Sequence, residues 1–290
     1  MKPANEVELL DAADPSSFTY AAPSDPLMKR ALIRGVEAIT GQRKLRSIYL
    51  DYRRENDGAA SFWSNAVSRL GLQIDYDTER LQELPATGPA VVVANHPYGV
   101  IDGIVLGWLV EKVRPDFKIL VNSVLARAEE ARPYLLPIDF APTELAKRIN
   151  LKSRADARSW LDEGKVVVVF PGGTVSTAMT PMGKAYDPAW KPFTARLIAR
   201  SKAAVLPIYF PGQNSRMFQL ASLLHPTLRT ALFFHEASNK MRRRIRVEIG
   251  QAMTPETLPV DEPVRLIQEL RQHTYGLGGL PDAPVAPSQG

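Results

Sequence analysis

The chain has 290 residues, 45% of them apolar and 23% charged, with a net charge of +5 and no cysteine. Length and composition are those of a globular protein with a sizeable core, and the missing cysteine excludes a disulfide scaffold, a thiolate nucleophile and any cysteine-ligated metal site. No apolar stretch of the signal-peptide kind follows Lys2, and the most apolar window, Val91 to Val110, is interrupted by Asn95, His96, Pro97, Gly99, Asp102 and Gly103, so no simple membrane span is expected.

Residues 1–24 carry a net charge of −3 and three prolines, and are expected to be disordered. Residues 25–54 hold eight Lys or Arg against three Asp or Glu. Ser24 or Asp25 can cap a helix there, Pro26 suits its first turn, and Met28, Leu32, Val36 and Ile39 recur at helical spacing. Helices are therefore expected over 26–40 and 44–71. A basic, amphipathic pair of this kind is either a surface helix with a solvated face or a helix lying on an anionic bilayer. Residues 74–88 read as an irregular lead-in. Buried strands are expected at Val91–Val93, Lys118–Val121, Val166–Phe170 and Ala204–Phe210, each a short, largely apolar run between turn signals. Between them, helices are expected at Gly103–Val113, 123–131, 143–162 and Phe193–Ser201, with a short extended piece at Leu136–Phe140. A helix or turn at 216–224, strands at Arg229–Phe234 and Ile245–Ile249, and a helix at Leu258–His273 follow. In the last strand Arg244 and Arg246 alternate with Ile245 and Val247, so its basic run reads as a strand's outer face rather than a nucleic-acid patch. Residues 276–290, rich in Gly and Pro, are expected to be disordered. The alternation predicts an α/β fold: one domain over 73–275 with a twisted, mostly parallel sheet flanked by helices, preceded by the amphipathic segment at 25–72.

Three loops follow buried strands, at the strand ends where α/β sheets assemble their sites. In Asn95-His96-Pro97-Tyr98-Gly99-Val100-Ile101-Asp102-Gly103, an Asp six residues after a His can fix the imidazole's tautomer and leave its other nitrogen as a general base. Equally, Asp102 can simply cap a helix. In Phe170-Pro171-Gly172-Gly173-Thr174-Val175-Ser176, two glycines let a ligand approach the backbone, though the same residues make an ordinary turn. After Leu206-Pro207-Ile208-Tyr209-Phe210, where a proline suits an edge strand or a bulge, Asn214, Ser215 and Arg216 offer polar groups or a helix cap. No Walker loop, Gly-x-Ser-x-Gly elbow or Gly-x-Gly-x-x-Gly fingerprint is present, and His235-Glu236 lacks the second His of a zincin. Four histidines without cysteine give no support for a metal site.

In this order the three loops resemble the glycerolipid acyltransferase superfamily, the PlsC-like lysophospholipid acyltransferases. Asn95–Gly103 and Gly212–Ser215 are most similar to the branch of hemolysin-like proteins and lyso-ornithine-lipid acyltransferases. The resemblance extends over residues 27–270. It implies acyl transfer without a covalent enzyme intermediate, with His96 as the base toward a lyso-lipid hydroxyl and Asp102 as its partner. Asn95, Gly172, Gly173, Thr174, Asn214, Ser215 and Arg216 would contact substrate. The donor would be an acyl-ACP or acyl-CoA thioester, with no cofactor, no metal and no nucleic-acid partner. The basic helices would seat the enzyme peripherally on an anionic membrane, at its cytoplasmic face. A non-catalytic lipid-binding protein and an acyl-thioester hydrolase are the alternatives. Two departures from the better-known branch stand out: five residues rather than four separate His96 from Asp102, and Gly172 and Val175 replace a Glu and an Arg. Loss of that Arg weakens the case for a phosphate-bearing acceptor and suits a zwitterionic one, although Arg216 can supply the charge instead.

Overall fold

The computed structural model describes residues 19–21, 26–55, 61–122, 128–139 and 143–287. The caps expected at Ser24 and Asp25, the expected disorder of 1–18 and 288–290, and most of the helix expected at 123–131 lie outside these residues. Among them the chain runs α1 (Leu27–Ile39), α2 (Gln42–Glu55), α3 (Phe62–Leu70), β1 (Gln73–Tyr76), α4 (Thr78–Gln82), β2 (Ala90–Ala94), α5 (Val100–Glu111) and β3 (Phe117–Asn122). A 3-10 turn at Glu129–Tyr134 leads to β4 (Leu135–Ile138), α6 (Glu144–Asp162), β5 (Val166–Val169), the short β6 (Thr177–Ala178) and β7 (Ala185–Tyr186), and α7 (Pro192–Ser201). Then come β8 (Ala204–Tyr209), α8 (Arg216–Leu224), α9 (Pro226–Ala231), α10 (Phe233–Lys240), β9 (Arg244–Ile249) and α11 (Pro263–Gly276).

Seven strands form one sheet in the order β1-β9-β8-β2-β5-β3-β4. All pairs are parallel except β8 with β9, so the mostly parallel α/β expectation holds. β2 lies centrally between β5 and β8 and is buried throughout. Its alternation distributes the core. Ala90, Val92 and Ala94 face one layer, with Ile101, Val105 and Leu109 of α5 and Trp63 and Val67 of α3. Val91 and Val93 face the other, with Leu161 of α6, Ile198 of α7 and Leu266 and Leu270 of α11. A strand covered on both faces must be apolar at every position, which is why these runs show no polar alternation.

Several expectations are corrected. The lead-in at 74–88 contains β1 and α4; β1 is an edge strand reading Gln-Ile-Asp-Tyr, and only its pairing with β9 reveals it. The helix expected over 44–71 is two helices, the second capped by Ser61, whose Oγ accepts from the Ser64 amide. The strand expected at Arg229–Phe234 is helical. His225 Nδ1 accepts from the Thr227 amide and Pro226 opens α9, while Leu228, Ala231 and Leu232 turn inward at helical spacing. Pro207 is not on an edge: β8 is interior, and its pairing shifts register by one residue beside Pro207, between Val205↔Met253 and Ile208↔Ile249. The bulge absorbs the missing amide donor.

In two of the three helices over 25–72, expected to face a membrane, the apolar face meets the protein's own core. In α2 the side chains of Leu45, Ile48, Tyr49 and Tyr52, and in α3 those of Phe62, Trp63, Val67 and Leu70, pack into the main core. Only α1 leaves an apolar row outside, with Leu27, Met28 and Ile39 at 79%, 87% and 83% exposure. Val36, expected in that row, turns inward. Thr19–Ala21 are also ordered: Thr19 Oγ1 and the Tyr20 amide both donate to the buried Glu37 carboxylate, at 2.6 and 2.7 Å.

The tail expected to be disordered from 276 is packed through 287. Arg271, itself buried, donates to the carbonyls of Ala283 (2.8 Å) and Pro284 (2.6 Å), and Ala286 pairs in parallel with Pro188. Arg271→Ala is expected to cost about 1.5–3 kcal/mol. A denaturant titration of the variant checks this, and an unchanged midpoint would mean that the strap is not held.

Candidate active site

The carboxyl ends of β2, β5 and β8 converge on one loop cluster. β2 ends in Asn95, whose buried amide clasps Phe210 at the end of β8. Its Nδ2 donates to the Phe210 carbonyl at 2.9 Å, and its Oδ1 accepts from the Phe210 amide at 2.7 Å. Expected as a substrate contact, Asn95 is committed to joining the two strands.

His96 follows. Its Nδ1 lies 3.0 Å from Asp102 Oδ2, and its ring stacks on Phe170 with centroids 4.1 Å apart. The imidazole is 18% exposed and the Asp102 side chain fully buried. Gly99, at φ +73° and ψ −120°, takes a backbone shape that only glycine adopts without strain. The turn directs the amides of Tyr98 and Gly99 onto Asp102 Oδ2, at 2.8 and 3.0 Å. Asp102 therefore stands on the first turn of α5 yet serves the His loop, while its buried Oδ1 has no hydrogen-bond partner among the described residues. Burial pushes the Asp102 carboxyl above the ordinary carboxylate range, and the contacts from His96, Tyr98 and Gly99 oppose that only in part.

The glycine loop is tied to this base from both sides. The Ser176 amide donates to the His96 carbonyl at 2.8 Å, and the Gly173 amide donates to the Phe170 carbonyl at 2.9 Å. Gly173 has φ +72°, and a Cβ there would meet Lys191 Nζ at 2.9 Å. Gly172 backs onto Asp187, which a Cβ would meet at 3.2 Å.

Asp187 escaped the sequence reading. It is fully buried, and three segments donate to its carboxylate: the His96 amide (3.1 Å) and Ser176 Oγ to Oδ1, and Trp190 Nε1 (2.9 Å) to Oδ2. Its own amide donates to Tyr275 Oη of α11 at 2.8 Å. Burial raises the Asp187 carboxyl too, against its three donors. An Asp in Tyr-Asp-Pro-Ala-Trp, far from either motif, carries no spacing that marks it. Glu236 and Lys240 of α10 were likewise missed. Buried Glu236 accepts from the Ser215 amide (2.8 Å) and Ser215 Oγ (2.5 Å). Lys240 Nζ lies 4.2 Å from the centre of the Tyr98 ring and donates to the Gln213 carbonyl, and burial lowers its affinity for its proton.

The third loop thus divides. Ser215 caps α8 through the Phe218 amide and is held by Glu236. Arg216 is exposed at the first position of α8. Asn214 is buried, and among the described residues neither of its side-chain polar atoms finds a hydrogen-bond partner. Thr174 is partly exposed beside Gly173.

A histidine with a buried carboxylate partner, next to a glycine turn, is an arrangement that can activate a hydroxyl or water. The model of the acyltransferase family matches residues 60–241, and the chain belongs to that family. Its curated relatives include the lyso-glycine lipid O-acyltransferases of Phocaeicola vulgatus and Bacteroides thetaiotaomicron, each 26% identical over 151 residues, 51% of this chain. The chain spans about half the length of the curated relatives it matches, with 50% and 52% of them covered. Among solved structures it is similar to the 1-acyl-sn-glycerophosphate (LPA) acyltransferase PlsC of Thermotoga maritima, at 15% identity and a TM-score of 0.44 over 89% of this chain and 90% of that one.

The two buried carboxylates are expected to respond differently to substitution. Asp102→Asn preserves an acceptor for the amides and removes the charge behind His96, so turnover should fall by roughly 10²–10⁴-fold with the fold retained. Because burial raises the carboxyl, its contribution to stability is complete at acid pH and is lost as pH rises through the raised value. The melting temperature of Asp102→Asn should therefore improve relative to the parent between pH 4 and 8; a trend in the opposite direction would contradict this. Asp187→Ala orphans three buried donors and should cost about 1–3 kcal/mol for each. Chemical denaturation measures that loss, and parent-like stability would show that Asp187 does not hold the loops.

Proposed function

We propose that this protein moves a fatty acyl group from a thioester donor, acyl-ACP or acyl-CoA, to the hydroxyl of a lyso-lipid, with His96 as general base. The observation that supports this most directly is the His96–Asp102 pair, with its imidazole partly exposed and its carboxylate wholly enclosed. With Nδ1 facing Asp102, Nε2 is the nitrogen that takes the hydroxyl proton. The alkoxide oxygen attacks the thioester carbonyl carbon, the carbon–sulfur bond breaks, and the proton passes from His96 to the leaving thiolate. Asp102 stabilises the imidazolium in between. Gly173 spends its amide within the turn, so Gly172 and Thr174 are the residues whose amides remain to meet the developing oxyanion.

The acceptor is an amino-acid lipid. The relatives' names specify a lyso-glycine lipid, where the motifs suggested a lyso-ornithine lipid. Both lack the phosphate that the missing Arg at Val175 would bind. Asn214, a buried amide with nothing to bond, is suited to a polar headgroup group that enters the cleft.

The lipid reaches the site from a membrane surface on which the protein rests peripherally. The outward row of α1 supports this, as do exposed Met217, Leu220, Leu223 and Leu224 of α8 and exposed Met179 and Met182 between β6 and β7. α8 begins at the third loop, and β6 leaves the glycine loop. Lys29, Arg34 and Arg216 add positive charge to the same helices. No helix among the described residues is long and apolar enough to cross a membrane.

The deciding experiment gives the purified chain anionic vesicles, labelled acyl-ACP or acyl-CoA, and lyso-glycine or lyso-ornithine lipid. Label is expected in a diacyl product, with the protein sedimenting with the vesicles, and His96→Ala should abolish the product without releasing the protein. Label found only as free fatty acid would establish a hydrolase. A fully active His96→Ala would end the general-base reading.

A further inference from the structure

On the flank of the sheet covered by α6 and α7 lies an open groove of about 550 Å³ lined by Arg154, Arg158, Arg196 and Arg200. Asp162 is the one acid lining it, 3.7 Å from Arg158. Elsewhere the exposed charges of the same scaffold are interleaved. Lys147 pairs with Glu144 and Lys152 with Asp156 on α6, and Arg265 with Glu262 and Glu269 on α11. Among the described residues Arg154, Arg196 and Arg200 make no ion pair; Arg154 rests instead on the Phe193 ring, 5.1 Å from its centroid. Four like charges gathered on one groove repel one another, and an anionic partner relieves that repulsion.

We propose that this groove docks the acidic surface of an acyl carrier protein and so delivers the acyl thioester to the glycine loop. The inference rests on the acyl-transfer reading for the use made of the carrier, and not for the docking itself. Geometry favours a helical protein surface over a coenzyme. Arg154 and Arg158 on α6, and Arg196 and Arg200 on α7, stand four residues apart, about 6 Å along each axis. Two such rows match carboxylates recurring at the same interval on an acidic helix laid between them. The groove is open, where a small ligand would call for an enclosing pocket.

Position favours the donor over any other acidic partner. α7 starts immediately after Lys191, whose amide donates to the Pro171 carbonyl at 2.9 Å and whose Nζ abuts Gly173. Arg196 lies about 6 Å along α7 from Pro192 and Arg200 about 12 Å. A carrier bound there stands beside the Gly172–Gly173 turn, within reach of a flexible prosthetic arm.

The test compares the full chain with Arg196→Glu/Arg200→Glu and with Arg196→Lys/Arg200→Lys, using palmitoyl carrier protein and palmitoyl-CoA as separate donors. Direct binding of the carrier is measured by calorimetry at low and high salt. The parent should bind the carrier in a salt-sensitive manner. Charge reversal should weaken that binding and raise KM for the carrier-borne donor at least tenfold, with kcat and palmitoyl-CoA turnover unchanged, and the Lys pair should stay near the parent. Equal loss with both donors, parent-like carrier binding after reversal, or no carrier binding by the parent would each overturn the proposal. Salt-sensitive carrier binding without transfer to any lyso-lipid would leave the groove assigned and overturn the acyl-transfer reading instead.

Discussion

A carboxylate shut away from water is tolerated only where donors surround it, and the Asp187 carboxylate gathers its donors from the segments that form the candidate site. The His96 amide belongs to the loop after β2, Ser176 to the loop after β5, and Trp190 to the approach to α7. The loops after β2 and β5 are thereby drawn to the segment that carries Asp187 and Trp190. The Asn95 clasp on Phe210 adds the end of β8 to the same junction. The geometry of His96 is thus over-determined: its backbone is held at N–H by Asp187 and at C=O by Ser176, and its ring by Asp102 and Phe170. This is the sort of support by which a side chain keeps one rotamer while substrates pass.

The sheet and the His96–Asp102 contact were legible because each leaves a local mark. Val91–Val93 and Val166–Val169 are continuous β-branched runs, as strands buried on both faces must be. His96 and Asp102 lie six residues apart across a loop and the helix turn that follows it, so their encounter needs no knowledge of the tertiary fold. What escaped depends on distant partners. β1 is a strand only because β9 lies beside it, and Asp187 is a hub only because Trp190, Ser176 and His96 surround it. The misreading of Arg229–Phe234 has a different cause. Its β-branched and aromatic content favours a strand, while the His225 cap and Pro226 start a helix whose inner face finds a core to fill.

The amphipathic helices show the same limit from another side. Periodicity reveals that a helix has an apolar face but not what the face meets. α1, α2 and α3 all carry the pattern. Tyr49, Tyr52, Trp63 and Val67 meet the protein's own core, whereas Leu27 and Met28 meet none. Charge divides similarly. The alternating arginines of β9 are the outer face of a strand, as Arg246 beside Glu248 shows, and the arginines along α6 and α7 form a groove that no sequence window contains.

The pairing of Ala286 with Pro188 bears on the order in which the site is completed. The Ala286 amide donates to the Asp187 carbonyl at 3.1 Å, so the segment that carries the hub borrows an edge from residues encoded far downstream. During synthesis the His and glycine loops leave the ribosome well before that edge exists. A nascent chain holding His96, Asp102 and Asp187 therefore still lacks this downstream backbone tie to Asp187. The segment around Asp187 gains its edge partner only when residue 286 has been translated.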